Sequence, residues 1–209
     1  MANDLIFYTN PMSRGQIIRW MLEEVGAPYE AEILDYASSM KSEEYRRINP
    51  MMKVPAISHR GRVVTEAAAI CAYLADVFPE AGLGPREEEK ADYYRWLFFA
   101  AGPLEQAVTN KAAGFEPPAE RGRMFGYGNY DLAVNTLADH LAGRDYVCGS
   151  RFNAADVYVG SAVMWGTQFG TLPKLDPFLA YAGRLTRREA YKRGKDEDNQ
   201  LIAEMQAAG

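Results

Sequence analysis

The first 78 residues alternate between strand-like and helix-like patterns, and the alternation stops after Phe78. Leu5–Tyr8 is a short apolar and aromatic run, which is typical of a buried strand. Apolar residues then recur at helical spacing from Ile17 to Val25, and Gly26 is a natural C-terminal stop. Strands and helices in this order bury their apolar faces on one another, so we expect a small mixed sheet covered by helices.

Weaker signals of the same kind complete this first domain. A proline opens the run Val54–Ser58, and Arg60-Gly61 is a tight-turn signal that makes a hairpin with the next strand. The remaining expected elements are strands over 29–34, 54–58 and 63–64, a short helix over 42–48 and a longer helix over 66–78. The order is therefore βαβ, a short helix, a β-hairpin and a helix.

The rest of the chain shows helical patterns and no convincing strand. Residues 79–86 carry no periodic pattern and form the candidate linker. We therefore predict an α/β domain over 1–78, a linker over 79–86 and an all-α domain over 87–209. The expected helices lie near 87–110, 119–142, 154–168, 176–184 and 187–193. The tail after Lys195, polar and then alanine-rich, is expected to fray.

Charge and composition exclude several classes of function. The chain has 23 basic and 28 acidic residues, a net charge of −5, and its basic residues form no block, so we expect no nucleic-acid partner. No window is long and apolar enough to suggest a membrane span, and Met1–Leu5 lacks the basic and apolar regions of a secretory signal. Cys71 and Cys148 are far apart and read as reduced thiols, so we expect a cytoplasmic protein without a membrane partner. With only His59 and His140 available, we expect neither a metal site nor a Ser-His-Asp triad.

Three segments carry groups that could each meet part of a ligand. A cis Val54-Pro55 bond would turn the Val54 main chain outward to pair with an extended peptide, whereas a trans proline would simply open an edge strand. At the second segment, helix N–H groups favour a carboxylate and Glu66 could meet an ammonium group. The alternative there is that Thr65 merely caps the helix.

The third segment runs from Tyr8 to Arg14, where the first strand ends and the first helix begins. A hydroxyl or a guanidinium beside a positive helix terminus favours an anion such as a thiolate. The alternative is that Ser13 serves only as a helix N-cap.

These segments resemble bacterial glutathione S-transferases. The matching stretches of the first half are residues 7–15 (FYTNPMSRG), 21–26 (MLEEVG), 49–57 (NPMMKVPAI) and 65–76 (TEAAAICAYLAD). In the second half, residues 151–157 (RFNAADV) resemble the family's helix-capping segment, with Asn153 as N-cap and Asp156 as its N3 partner. Residues 177–181 (PFLAY) with Arg184 resemble its late helix. The resemblance covers about nine-tenths of the chain and implies a thioredoxin-like domain followed by an all-helical domain.

The resemblance implies that glutathione binds to the thioredoxin-like domain. Val54 would pair its main chain with the cysteinyl residue, with Pro55 in cis. Glu66 and the backbone of Ala67 would hold the γ-glutamyl end. Because many relatives have serine where this chain has Ala67, we expect weaker binding, by roughly 1.5–3 kcal/mol if nothing replaces the hydroxyl.

The resemblance also implies a residue that activates the thiol, for which Ser13 is the first choice and Tyr8 the second. This part of the chain has no cysteine, which argues against disulfide-exchange chemistry. The other expected glutathione contacts are polar and cationic side chains: Asn10, Arg14, Lys41 and Lys53.

The family's electrophile site, between the domains, would draw on aromatic residues of the helical domain, namely Tyr94, Phe98, Trp165 and Phe169. Aromatic residues at helical spacing are also typical of a protein core. The resemblance thus implies a glutathione transferase that forms a homodimer and acts on hydrophobic electrophiles. A non-catalytic binding or scaffold protein and a glutathione-dependent peroxidase are the alternatives.

Overall fold

The computed structural model describes residues 4–208, so Met1–Asn3 of the segment searched for a secretory signal lie outside the described residues. The chain divides into two compact units. The first contains the chain up to Gly84 together with the segment from Arg188 onward, and the second is Pro85–Arg187. The sequence analysis placed the segment from Arg188 onward in the helical domain. The predicted domain limits, 1–78, 79–86 and 87–209, stay a prediction.

The first unit is built on a four-stranded sheet of order β2-β1-β3-β4. The β1–β2 pair is parallel, and the β1–β3 and β3–β4 pairs are antiparallel. The strands are β1 (Leu5–Thr9), β2 (Glu30–Ile33), β3 (Ala56–His59) and β4 (Arg62–Thr65). This mixed sheet, with helices packed on it, is the expected thioredoxin-like fold.

The helices agree with the sequence prediction in order, and several agree in extent. In chain order they are α1 (Gly15–Val25), α2 (Glu43–Ile48), α3 (Ala67–Val77), α4 (Lys90–Phe99), α5 (Glu105–Ala112), α6 (Tyr130–Leu141), α7 (Ala154–Phe169), α8 (Asp176–Leu185) and α9 (Glu189–Ala208). Gly26 ends α1 as predicted, with φ 71° and its N–H bonded to the Leu22 carbonyl over 2.9 Å.

Neighbouring residues of β1 show which helix covers each face of the sheet. Phe7 is fully buried, and the Arg19 guanidinium of α1 lies 5.3 Å from its ring centroid. The ring of Tyr8 packs on the other side, 5.7 Å from the ring of Tyr45 in α2. Because successive strand residues point to opposite faces, α1 and α2 cover opposite faces of the sheet.

The second unit has α7 at its centre, and the predicted capping segment holds its start. The Asn153 side chain accepts from the Ala155 N–H over 2.9 Å, and Asp156 accepts from the Asn153 N–H over 2.9 Å. Asp156 also accepts from the Val147 N–H and the Tyr181 hydroxyl, each over 2.7 Å. Both predicted capping roles are confirmed, and they fix α7 to two other segments of the unit.

Two predicted helices of the second unit have different limits in the structure. The stretch predicted over 87–110 is interrupted by a π-helical segment, Ala100–Leu104, which contains Pro103, a residue that cannot donate a helical hydrogen bond. The helix predicted to start at 119 starts at Tyr130 instead. Residues 119–124 form 3₁₀ turns, and Gly128, at φ 67°, precedes the true N-cap, Asn129.

The expectation that the tail frays after Lys195 was wrong, because α9 continues to Ala208. The helix packs along α1, and a Cβ on Gly194 would lie 3.4 Å from the backbone of Trp20. The Arg19 guanidinium also reaches from α1 to the carboxylates of Glu197 and Asp198, over 2.7 and 3.3 Å. These contacts hold the polar part of α9 in place.

Candidate functional site

The strand register brings the three polar segments to one end of the sheet. Tyr8 of β1 pairs with Ala56 of β3, which pairs with Thr65 of β4. Adjacent strands lie about 4.8 Å apart, so the outer two of these residues are separated by about 10 Å. We call this region the sheet-end site: the β1–α1 loop (residues 10–14), the segment before β3 (53–55) and the turn from β4 to α3 (65–67).

The segment before β3 is held by two side chains that donate to one carbonyl. The Tyr45 hydroxyl and the Asn49 amide donate to the Lys53 carbonyl over 2.6 and 2.8 Å. The Val54-Pro55 bond is cis, as the resemblance implied, and Val54 is partly exposed. The peptide that precedes Val54 is therefore fixed in orientation.

The sequence prediction missed Tyr45 and Asn49. Asn49 had a signal, because an asparagine before a proline favours a turn. Its Oδ1 accepts from the Met51 N–H over 3.0 Å, which closes that turn. Tyr45 had no such sequence signal, because it lies eight residues before Lys53 on a separate helix. Burial raises the pKa of Tyr45 to about 12, so its hydroxyl remains a donor.

Glu66 occupies the turn from β4 to α3 in a backbone conformation that residues other than glycine rarely adopt. Its φ is 68° and its ψ 114°, its side chain is exposed, and it forms no capping bond at the start of α3. The alternative that Thr65 caps α3 was wrong, because Thr65 ends β4 and Glu66 is the N-cap residue. Backbone strain of this kind clusters at ligand sites and costs about 1–3 kcal/mol.

The Ser13 hydroxyl is engaged on both sides within the β1–α1 loop. It donates to the Asn10 carbonyl over 2.6 Å and accepts from the Gly15 N–H over 2.9 Å. Arg14 occupies the N-cap position and Gly15 is the first residue of α1. Ser13 therefore satisfies the first helical N–H from one residue before the N-cap, and its side chain is half-exposed.

The base of the same loop is buried. Asn10 is 0% exposed; its amide donates to the Leu34 carbonyl over 2.8 Å and accepts from the Met12 N–H over 2.9 Å. Thr9 is equally buried, and within residues 4–208 its hydroxyl has no hydrogen-bond partner. A Cβ on Gly15 would lie 1.9 Å from that hydroxyl oxygen, so the end of β1 approaches the start of α1 as closely as a glycine permits.

Tyr8 lies on the α2 side of the sheet, half-buried against Tyr45. Burial raises its pKa, and the carboxylates of Glu32, Glu44 and Glu30 raise it further. Its hydroxyl is therefore a neutral donor at physiological pH.

The predicted cationic residues are all exposed. Arg14 lies in the β1–α1 loop, Lys53 directly precedes Val54, and Lys41 ends the 3₁₀ turn Ser39–Lys41. Ala67 is half-exposed as the first residue of α3, whose N–H groups favour negative charge.

The predicted electrophile residues lie on two helices of the second unit that pack on each other. Tyr94 and Phe98 belong to α4, and Trp165 and Phe169 to α7. Phe98 and Phe169 are 73% and 71% exposed and Tyr94 is 47% exposed. These three side chains are therefore not part of the unit's core, and their role at an electrophile site stays a prediction.

Over residues 4–208, His, Cys, Asp and Glu side chains form no group of three or more that could hold a metal ion. In the same part of the chain, no helix has the length and apolar character needed to cross a bilayer.

The end of this thioredoxin-like sheet combines an outward main-chain segment, a strained acidic turn and a helix start, groups whose chemistry suits an extended peptide and an anion. The profile described as "Glutathione S-transferase, N-terminal domain" matches residues 12–77. A glutathione S-transferase of Xanthomonas campestris pv. campestris is 30% identical over 174 residues, which are 78% of this chain and 83% of that protein. The chain belongs to the glutathione S-transferase family.

Solved structures of the family share the fold. The glutathione transferase of Methylococcus capsulatus is 25% identical with a TM-score of 0.76, covering 94% of this chain and 99% of that one. A sphingomonad glutathione S-transferase complexed with glutathione is 27% identical with a TM-score of 0.74, covering 93% of this chain and 98% of that one. The predicted family and fold class are both confirmed.

Proposed function

We propose that this protein is a glutathione transferase that binds glutathione at the sheet-end site and activates its thiol as a thiolate. The observation that carries the proposal is the convergence of the Val54 main chain, the strained Glu66 turn and the β1–α1 loop at one end of the sheet. Support comes from the sphingomonad relative, whose structure is a complex with glutathione.

Each part of glutathione has a matching group at this site. The cysteinyl main chain pairs with Val54 as an additional strand would. The γ-glutamyl ammonium meets Glu66, and its carboxylate meets the first N–H groups of α3 at Ala67. Lys41 and Lys53 are the cationic partners of the glycyl carboxylate.

Ser13 is the residue that meets the sulfur in this proposal. Its hydroxyl is half-exposed and stands at the start of the 11-residue helix α1, whose N-terminal N–H groups favour an anion. When the thiolate binds, the hydroxyl proton turns from the Asn10 carbonyl to the sulfur. Tyr8 is the second candidate; it lies on the α2 side of the sheet, half-buried against Tyr45. Asn10 contributes through the loop geometry, because its amide is already committed at both ends, and Arg14 contributes its charge.

The chemical step joins the glutathione sulfur to an electrophilic carbon. The glutathione thiol releases its proton to solvent, and the thiolate supplies the electron pair of the new C–S bond. In a substitution the leaving group departs with the pair of the bond that breaks; in an addition that pair moves to the neighbouring oxygen or nitrogen, which then takes up a proton. Proximity and stabilisation of the thiolate supply the rate enhancement. We assign the hydrophobic electrophile to the exposed aromatic residues of α4 and α7.

The location and the assembly belong to the same proposal. Two free cysteines, Cys71 and Cys148, support a reducing, cytoplasmic environment. A two-fold homodimer is the simplest closed assembly for a protein of this size. Sedimentation would test it, with a mass near twice the 23.3 kDa of the chain as the expected result.

The absence of a hydroxyl at Ala67 favours one rival, a binding protein that retains the fold without catalysis. The transferase and the non-catalytic binding protein differ in turnover, which can be measured with a panel of halo-aromatics, epoxides and isothiocyanates. Turnover of hydroperoxides alone would indicate a peroxidase instead.

Calorimetric titration with glutathione tests the binding site. We expect Glu66→Gln to weaken binding about tenfold, because a charge-assisted contact with the ammonium group is lost. Glu80→Gln is the matched control, since Glu80 is an exposed glutamate of the same unit in the turn Pro79–Ala81. Equal affinities for the two variants would contradict the proposed site, and no binding by the wild type would contradict the function.

A further inference from the structure

Helix α9 reaches the β1–α1 loop through one side chain of α1. The Nζ of Lys195 donates to the Oε1 of Gln16 over 3.2 Å. The Nε2 of the same glutamine donates to the Pro11 carbonyl over 2.6 Å. Pro11 stands two residues before Ser13, so two consecutive hydrogen bonds connect α9 to the loop proposed to meet the thiol.

The far end of this connection is anchored by close helix packing. Beside Lys195, a Cβ on Gly194 would lie 3.4 Å from the backbone of Trp20 and 3.2 Å from the Arg19 side chain. One residue earlier, Arg193 donates to the Glu23 carboxylate over 2.8 Å. The contacts of the two residues before Lys195 therefore fix its position relative to α1.

The donor and acceptor atoms of the two hydrogen bonds determine how the Gln16 side-chain amide is oriented. An ammonium group is only a donor, so Lys195 holds the oxygen of the Gln16 amide toward itself. The amide nitrogen is then left to face the Pro11 carbonyl. Without the ammonium group, the glutamine amide can rotate or change rotamer, and the bond to the loop is no longer enforced.

We propose that Gln16 and Lys195 are positioning residues that hold the β1–α1 loop in the geometry needed to activate the thiol, an inference that rests on the proposed function. The Ser13 hydroxyl is seated on the Asn10 carbonyl of the same loop, so a shift at Pro11 moves it away from the sulfur. A displacement of about 1 Å at a reacting group lowers the rate considerably. The distant end of the chain thereby sets the reactivity of the site.

Lys195→Met tests this inference, with Lys192→Met as the matched control. Lys192 lies on the same helix but pairs with Glu189 of that helix over 2.6 Å. In Lys195→Met we expect kcat/KM for glutathione to fall about fivefold, the pKa of the bound thiol to rise, and KM for the electrophile to stay constant. Lys195→Arg restores most of the loss, because it keeps a cationic donor. A Lys195→Met enzyme that matches Lys192→Met in rate and thiol pKa would overturn the inference.

A double-mutant cycle tests whether Lys195 acts through Gln16. Gln16→Ala removes the intermediate side chain, so Lys195→Met added to it causes no further loss. Losses that multiply would show that Lys195 acts on its own and would overturn the connection.

Hydrogen exchange of the glutathione-free protein separates this inference from the proposed function. We expect amide exchange over residues 12–16 to be faster in Lys195→Met than in Lys192→Met and the wild type. Unchanged exchange there would overturn the positioning role by itself. A wild type that shows this protection but binds no glutathione would contradict only the proposed function.

Discussion

Arg19 donates from its Nε to the Oδ1 of Asp198 over 3.3 Å, and the two side chains are 0% and 1% exposed. The contact joins α1 to α9 inside the first unit. Within residues 4–208, the Arg19 Nη2 and the Asp198 Oδ2 have no hydrogen-bond partner. Burial therefore dominates over the neighbouring guanidinium and raises the pKa of the Asp198 carboxyl to about 6.

This pKa makes the docking of α9 dependent on pH. A carboxyl with a raised pKa in the folded state contributes stability that is fully present below its unfolded pKa, near 3.8, and is lost as pH rises through about 6. Asp198→Asn keeps the neutral form at every pH. Relative to this variant, the wild type should lose up to roughly 3 kcal/mol of unfolding free energy between these pH values.

Urea titrations at a series of pH values measure that difference. Asp196→Asn, which alters an exposed carboxylate of the same helix, is the control for the general effect of removing a charge. A difference between the wild type and Asp198→Asn that stays constant with pH would show that the Asp198 carboxyl titrates normally.

Gly15→Ala should destabilise the first unit. The added Cβ would lie 1.9 Å from the Thr9 hydroxyl oxygen, so the backbone of α1 must shift, and overpacking of this kind costs about 1–3 kcal/mol. Thermal unfolding measures the effect. Thr9→Ala in the same chain removes the clashing oxygen and should restore part of the stability.

The control is Gly183→Ala, on a helix where a Cβ meets no atom within 4 Å. This variant should leave stability unchanged or raise it. Equal behaviour of the two alanine variants would contradict the close approach.

Tyr45→Phe should weaken glutathione binding more than it weakens the fold. The variant loses the bond to the Lys53 carbonyl while Asn49 keeps its own, so we expect a loss of about 1 kcal/mol in stability and a fall in affinity of about threefold. Tyr73→Phe is the matched control, because it loses a 2.9 Å bond to His59. Strand pairing puts His59 opposite Leu5, at the other end of the sheet. The same affinity in both variants would show that the segment before β3 needs no such support.

The sequence predicted best where apolar periodicity carries the packing. The helix over Ile17–Val25 follows from apolar residues of which Ile17, Ile18, Met21 and Leu22 are buried in the structure, and its Gly26 stop follows from the left-handed conformation that glycine favours. The length of α9 did not follow, because beyond Lys195 the helix is held in part by the ion pairs of Glu197 and Asp198 with Arg19 of α1. A hydrophobic pattern cannot report such a contact.

The candidate site residues also fall into two groups, those marked by local sequence motifs and those placed by tertiary contacts. Short motifs pointed to Val54 and Glu66, because a proline and a helix start are local features. The commitment of Asn10 to the Leu34 carbonyl, 24 residues away, is a tertiary contact without a local signal. The connection from Lys195 to Gln16 spans 179 residues and is equally invisible in the sequence.

The most direct test of the central claim is a pH titration of glutathione bound to the wild type and to Ser13→Ala, followed by the ultraviolet absorbance of the thiolate. We predict that the wild type holds the thiolate at neutral pH and that Ser13→Ala, at saturating glutathione, needs a higher pH to form it. Thiolate in both proteins at the same pH would assign activation to Tyr8 or to the start of α1. Saturating glutathione with no thiolate in the wild type would contradict the account of this protein as a transferase.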